Sequence, residues 1–260
     1  MTQRRLVLQV LAASVVAGFQ GSAAAADVID LIARSKPAVI LVGTYAETDN
    51  PRFTFKGTGF VVGDGNLAIT NAHVLADPGT LEDDASRRMS VMVRRATGEW
   101  APRAVQVVGL DRAHDLALLR FEGAPVTPFK FAQPRLVKEG TEVLILGFPL
   151  GGALGFSTVS HRGLVSSVTG IALPPPTAAG LNERSIRQLR EGSFDIYQLD
   201  ATVYPGNSGG PMLDVQTGEV IGIVNATFVK GSKETALTAP SGISYAIPAK
   251  YAQDLLQQPR

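Results

Sequence analysis

Nine short apolar or β-branched runs recur along this chain, each broken from the next by Gly, Pro, Asp or Asn, and that rhythm limits the possible folds more than any other feature. They are Ala38–Val42, Gly59–Val62, Met89–Val93, Ala104–Val108, Leu116–Phe121, Glu142–Leu146, Gly163–Val168, Ile196–Leu199 and Val220–Ala226. Runs this short suit strands better than helices, and β-branched side chains pack well on a pleated surface. The spacing predicts an all-β barrel or sandwich. Asp27–Ser35 and Pro248–Gln257 read as helical, the second with Tyr251, Leu255 and Leu256 as its apolar face, and a short helix is read from Asn182 with Arg184, Arg187 and Arg190 on it. Pro125, Pro128 and Pro134 punctuate a connection that divides the chain into units 27–125 and 126–248, with a helical tail over 249–260.

The segment Tyr204-Pro205-Gly206-Asn207-Ser208-Gly209-Gly210-Pro211 brackets one serine with glycines and prolines between two strand-like runs. Glycine permits backbone shapes closed to other residues and lets a ligand approach the main chain, so such a turn can present both a hydroxyl and backbone N–H groups. A serine alone is a poor nucleophile at neutral pH; it needs an imidazole to take its proton and a carboxylate to fix the tautomer. His73 closes the run Ala68–Val74, and Asp115 opens the run that continues to Leu119. All three histidines, His73, His114 and His161, precede Ser208. That order excludes an α/β-hydrolase, where the histidine follows the serine. The order His73, Asp115, Ser208 is that of the chymotrypsin double barrel. Asp64 lies in a Gly-Asp-Gly turn and reads as hairpin punctuation. His114 adjoins Asp115 and is read as pointing away from it, and His161, within Val159–Gly163, reads as a surface-loop histidine.

At this point the chain resembles the trypsin-like serine proteases, in their bacterial HtrA/Deg-type branch. The resemblance rests on Gly57-Thr58-Gly59-Phe60 leading to Thr70-Asn71-Ala72-His73-Val74, Asp115–Leu119, Gly147-Phe148-Pro149-Leu150-Gly151, Gly206–Pro211 and Ile243-Ser244-Tyr245-Ala246-Ile247-Pro248, in that branch's order. It implies two six-stranded antiparallel β-barrels with the active site between them. It also implies His73 as general base, Asp115 as its orienter, Ser208 as nucleophile, and the N–H groups of Gly206 and Ser208 as oxyanion hole. The position at the base of the primary pocket is Thr202, with Asp200 out of register, so a preference for basic side chains is disfavoured. Asn225, Ala226, Thr227, Gly242, Ile243 and Ser244 are carried over as pocket walls, and their mix implies small or medium uncharged side chains. The alternative on the same fold is a latent or non-catalytic peptide-binding module.

Composition and termini set the remaining expectations. The formal net charge is +1, with no dense Lys/Arg cluster, which argues against nucleic acid as a partner. The expected partner is a peptide or unfolded protein. With no cysteine and no histidine pair at i, i+4, neither metal nor cofactor is expected. Arg4 and Arg5, the apolar stretch Leu6–Phe19 and Ala24-Ala25-Ala26 read as a signal peptide over residues 1–26, through the general secretory route rather than the twin-arginine one. The stretch is short for a membrane span, so the mature protein is expected in the periplasm or secreted. The resemblance departs from the branch where the chain stops at Arg260 without a PDZ domain, and the segment before Tyr45 lacks clasping aromatics, so a monomer is expected. Residues 174–192 read as an exposed insertion.

Overall fold

The computed structural model describes residues 23–75, 87–151, 155–171, 194–226 and 243–258. The expected insertion, most of the leader, and the pocket positions Thr227 and Gly242 lie outside them. Helix α1 (Ala23–Ser35) and a 3-10 turn (Lys36–Ala38) lead into the first group of strands. These are β1 (Val39–Tyr45), β2 (Phe53–Val62), β3 (Leu67–Asn71), β4 (Arg88–Arg94), β5 (Trp100–Asp111) and β6 (Leu116–Phe121). The second group comprises β7 (Glu142–Gly147), β8 (Val159–Ile171), β9 (Phe194–Asp200), β10 (Pro211–Asp214), β11 (Val220–Asn225) and β12 (Ile243–Pro248), followed by α2 (Ala249–Gln257).

Each group closes into an antiparallel barrel. The first runs β1-β2-β3-β6-β5-β4 and the second β7-β8-β9-β12-β11-β10, so the second repeats the connectivity of the first six strands later. Closure leaves no unpaired sheet edge in either barrel. The expectation of a double barrel is met. All nine sequence runs fall on strands; β3, β10 and β12 are the additional ones.

Strand alternation explains why so many runs are apolar throughout. On β1, Ile40 and Val42 point into the first barrel with Val61, Ala68, Val91 and Leu119, while Val39 and Leu41 point the other way. That outer face is also buried, because Phe60, Ile69 and Leu118 of the first barrel pack with Leu144, Leu146, Phe148 and Ile223 of the second. A strand buried on both faces has no polar alternation to show. The second barrel has its own interior of Val143, Ile145, Val165, Tyr197, Met212 and Val224. Strand β5, by contrast, exposes much of its length.

Two features tie the units together. Phe129 and Phe131, on the connection between barrels, meet Phe60 edge-on at centroid distances of 5.8 and 6.2 Å. Helix α2 returns across the chain and buries Ala249, Ala252 and Leu255 in the shared core. The apolar face of α2 therefore depends on its two alanines, which let the helix sit close; Tyr251 and Leu256 flank it as half-buried neighbours. A Cβ at Gly109 of β5 would lie 3.1 Å from Leu255 Cδ1, and one at Gly63 would lie 3.9 Å from Leu256 Cδ1.

Candidate active site

The site lies where the first barrel's β3 and β6 meet the nucleophile loop of the second. β3 ends at Asn71 and turns through a 3-10 segment, Ala72–Val74, which presents His73. Asp115 sits just before β6 with φ +54°, a left-handed conformation uncommon for a residue with a side chain. The surroundings hold it there. Its carbonyl accepts the N–H of Ala72 and the side-chain amide of Asn71, both at 3.0 Å.

That backbone turn points the carboxylate at His73. Asp115 Oδ1 accepts the backbone N–H of His73 at 2.9 Å, and Oδ2 lies 2.6 Å from His73 Nδ1. Oδ2 also accepts the amide of Asn225 at 2.7 Å. With Asp115 accepting at Nδ1, the imidazole carries its proton there and leaves Nε2 as an acceptor. The next residue along, Ala226, donates its N–H to Ser208 Oγ at 3.2 Å. One dipeptide at the end of β11 therefore touches both the carboxylate and the serine. The side chain of Asn225, expected as a pocket wall, is 1% exposed and turned toward Asp115.

The nucleophile loop is fixed on both sides. Thr58 N–H donates to Ser208 O at 2.9 Å, and Gly209 N–H donates to Val224 O at 2.9 Å. Gly209 has φ +84°, and a Cβ there would collide with the Thr58 carbonyl and the Thr70 hydroxyl, so the barrels approach through this glycine. Pro205 O accepts the N–H of Leu150 at 2.8 Å, and Leu150 is itself left-handed at φ +59°. A peptide unit holds its C=O and N–H on opposite sides, so this bond directs Gly206 N–H away from Leu150. Among the described residues, neither Gly206 N–H nor Ser208 N–H has an acceptor.

The remaining sequence positions fall as follows. Thr202 is half-buried between buried Ala201 and Val203, and Asp200 is exposed at the end of β9. Ser244 is buried and donates to Ala201 O at 2.6 Å, and Ile243 is 47% exposed. His114 does turn away from Asp115, pairing instead with Asp111 at 2.6 Å within a turn and stacking on Tyr251 at a centroid distance of 4.0 Å. Burial pushes the Asp111 carboxyl up, but its hydrogen bonds and charge interaction with His114 outweigh that and lower it overall. Asp64 caps the β2–β3 turn through Asn66 N–H and pairs with Arg120, as hairpin punctuation would. The reading of His161 as a loop residue is corrected. It lies on β8, opposite Ile145, half-buried with its ring 6.2 Å from that of Tyr204. Its Nε2 is buried and has no hydrogen-bond partner among the described residues, and burial lowers its pKa. Thr58, Asn71 and Leu150 were landmarks in sequence; their contacts with the loop and with Asp115 are visible only in three dimensions.

Two closed barrels, one bringing a histidine on a carboxylate and the other a glycine-bracketed serine, define a double-barrel serine hydrolase architecture. The sequence profile of the trypsin-like peptidase domain matches residues 57–223, and the chain belongs to that family, in its HtrA/Deg-type branch. A DegP-like periplasmic serine endoprotease of Pseudomonas fluorescens is 28% identical over 202 residues, 78% of this chain and 34% of that protein. The mitochondrial serine protease HTRA2 of Drosophila grimshawi is 30% identical over 203 residues, 78% of this chain and 38% of that protein. The chain thus spans little more than a third of these relatives' length. The crystal structure of Deg5 superimposes with a TM-score of 0.64 at 25% identity, covering 90% of this chain and 93% of that one.

Proposed function

We propose that this chain is an exported serine endopeptidase working through an acyl-enzyme. Ser208 Oγ attacks the peptide carbonyl while His73 Nε2 takes its proton. The negative charge that develops on the carbonyl oxygen is met by the N–H groups of Gly206 and Ser208. Asp115 holds the imidazole tautomer and steadies the imidazolium, and Asn225 holds Asp115. His73 then returns the proton to the leaving amine, and water, activated by the same imidazole, releases the acyl group.

The observation that carries this reading is the two-point grip of Asp115 on His73, at 2.9 and 2.6 Å, with Asn225 on the same carboxylate and its neighbour Ala226 donating to Ser208 Oγ. The polypeptide substrate lies in the cleft between barrels, with its side chain before the scissile bond directed to Thr202. The family likeness assigns Ala226, Thr227, Gly242, Ile243 and Ser244 to the walls of that pocket, and their mix of small and uncharged groups suits small or medium uncharged side chains. Residues 1–26 direct export, in keeping with the periplasmic relative of Pseudomonas fluorescens.

The test is to incubate the protein and its Ser208→Ala variant with a fluorophosphonate probe and with casein, reading adduct mass and cut sites. Labelling and cleavage by the parent alone are expected, with cuts after uncharged residues. Labelling that survives Ser208→Ala would sink the assignment, and cuts confined to Lys or Arg would sink the pocket reading.

A further inference from the structure

Thr58 is fully buried on β2 of the first barrel, and every polar group it has is used. Its N–H donates to Ser208 O at 2.9 Å, and its carbonyl accepts the hydroxyl of Thr70 at 2.7 Å. Its own hydroxyl donates to Gly206 O at 2.6 Å and accepts the N–H of Phe148 at 3.1 Å. Three of these four bonds cross from the first barrel to the second.

The positions of the three are what matter. Gly206 O and Ser208 O lie on either side of the Asn207–Ser208 peptide, whose N–H is one donor of the oxyanion hole. Thr58 holds both carbonyls, one through its hydroxyl and one through its backbone. Phe148 begins the turn whose Leu150 N–H fixes Pro205 O, and that carbonyl sets the direction of the other donor, Gly206 N–H. A Cβ on Gly206 would collide with Phe148 O, so the two loops are also in direct contact there. One hydroxyl therefore links the loops that aim the two donors.

We infer that the Thr58 hydroxyl is a positioning residue for the oxyanion hole, acting on the endopeptidase reaction proposed above and resting on that reading. It does not touch the reacting atoms. Its work needs a small group that donates and accepts at once from a buried strand, which Thr and Ser provide and Val does not. Without it, Gly206 O and Phe148 N–H each lose a partner in the interior, and the Gly206–Asn207 peptide is held only through its N–H to Tyr204 O at 3.1 Å. The loss falls on transition-state stabilisation, because substrate side chains are bound elsewhere in the cleft.

The experiment compares wild type, Thr58→Val and Thr58→Ser on a peptide cut by the wild type, with the fluorophosphonate labelling rate measured alongside and the folded fraction checked by circular dichroism. For Thr58→Val, kcat per folded molecule is expected to fall roughly tenfold to a hundredfold with KM within about threefold, and labelling is expected to slow in parallel. Thr58→Ser, which loses only the methyl group, should keep kcat within about threefold. If Thr58→Val does not fold, the serine variant still decides: a folded Thr58→Ser whose kcat falls about tenfold or more overturns the assignment to the hydroxyl, and near-wild-type kcat supports it. A folded Thr58→Val with unchanged kcat overturns the inference alone. A wild type inert to both probe and peptide overturns the endopeptidase reading and this inference with it.

Discussion

Replacing Asp115 by asparagine tests the site at its centre, and the contacts of that carboxylate fix what to expect. Oδ1 accepts the backbone N–H of His73, and Oδ2 accepts both His73 Nδ1 and the amide of Asn225, so all three neighbours are donors. An asparagine brings one acceptor and one NH2, so in either orientation one donor meets another. With NH2 at the Oδ1 place it opposes the His73 backbone, and the imidazole keeps its tautomer but loses the charge that steadies it. With NH2 at the Oδ2 place it opposes Asn225, and the imidazole answers by moving its proton to Nε2, where it can no longer take one from Ser208. Two favourable contacts survive either way, so bond counting does not choose between them. Both impair proton transfer, and kcat should fall about 10³- to 10⁴-fold, roughly 4 to 5.5 kcal/mol at 1.36 kcal/mol per tenfold. The assay is kcat and KM on a cleaved peptide at neutral pH, with phosphonylation rate in parallel. Adding Asn225→Ala removes the donor that opposes the second orientation, so the double variant should be slower than Asp115→Asn alone. A kcat for Asp115→Asn within about tenfold of wild type would refute the reasoning.

Other expectations concern stability. Tyr197 is fully buried and its hydroxyl accepts the N–H of Val137 at 3.1 Å; Tyr197→Phe should lower unfolding free energy by about 1–2 kcal/mol in urea titrations, and no change would contradict that role. Gly209→Ala forces a side chain into φ +84° against Thr58 and Thr70, and should cost about 2–4 kcal/mol together with activity; a variant as stable as the parent would show that the barrels can part there without penalty. Burial holds His161 below the ordinary histidine range, so the folded chain binds that proton less readily than the unfolded one. Its contribution is complete above the ordinary histidine pKa and is lost as pH falls from there through the lower folded value. His161→Phe should therefore flatten the fall of Tm on acidification, and parallel Tm curves for the two proteins would count against it.

The strands were legible because the chain is punctuated so regularly, and the order of His73, Asp115 and Ser208 was legible because order is a property of sequence. β3, β10 and β12 were not among the nine runs: β10 is only four residues long, whereas β3 lies in the run Ala68–Val74 and β12 in Ile243–Pro248, both read for the site and not for the strand rhythm. Orientation was harder. Asn225 borders the cleft in sequence register, yet its amide turns to Asp115, since a fully buried amide needs a partner. His161 was read as a loop residue because the resemblance places a loop bordering the oxyanion hole near it; strand pairing with Ile145 puts it on β8. The links through Thr58 join residues up to 148 positions apart, and no local pattern announces them.

The position of helix α2 has a consequence for when the cleft comes into being. Ala252 and Leu255 fill the same core as Leu67 and Leu118, which underlie the His73 and Asp115 strands, and they follow β12 in the sequence. A ribosome releases them after every strand has been made. Until they arrive, the first barrel has an open apolar flank, and the surface that registers it against the second is incomplete. Until α2 has been made and docked, the strands that carry the base and the nucleophile loop lack part of the apolar surface that registers them, so competence to cut follows the completion of this helix and not that of the last strand.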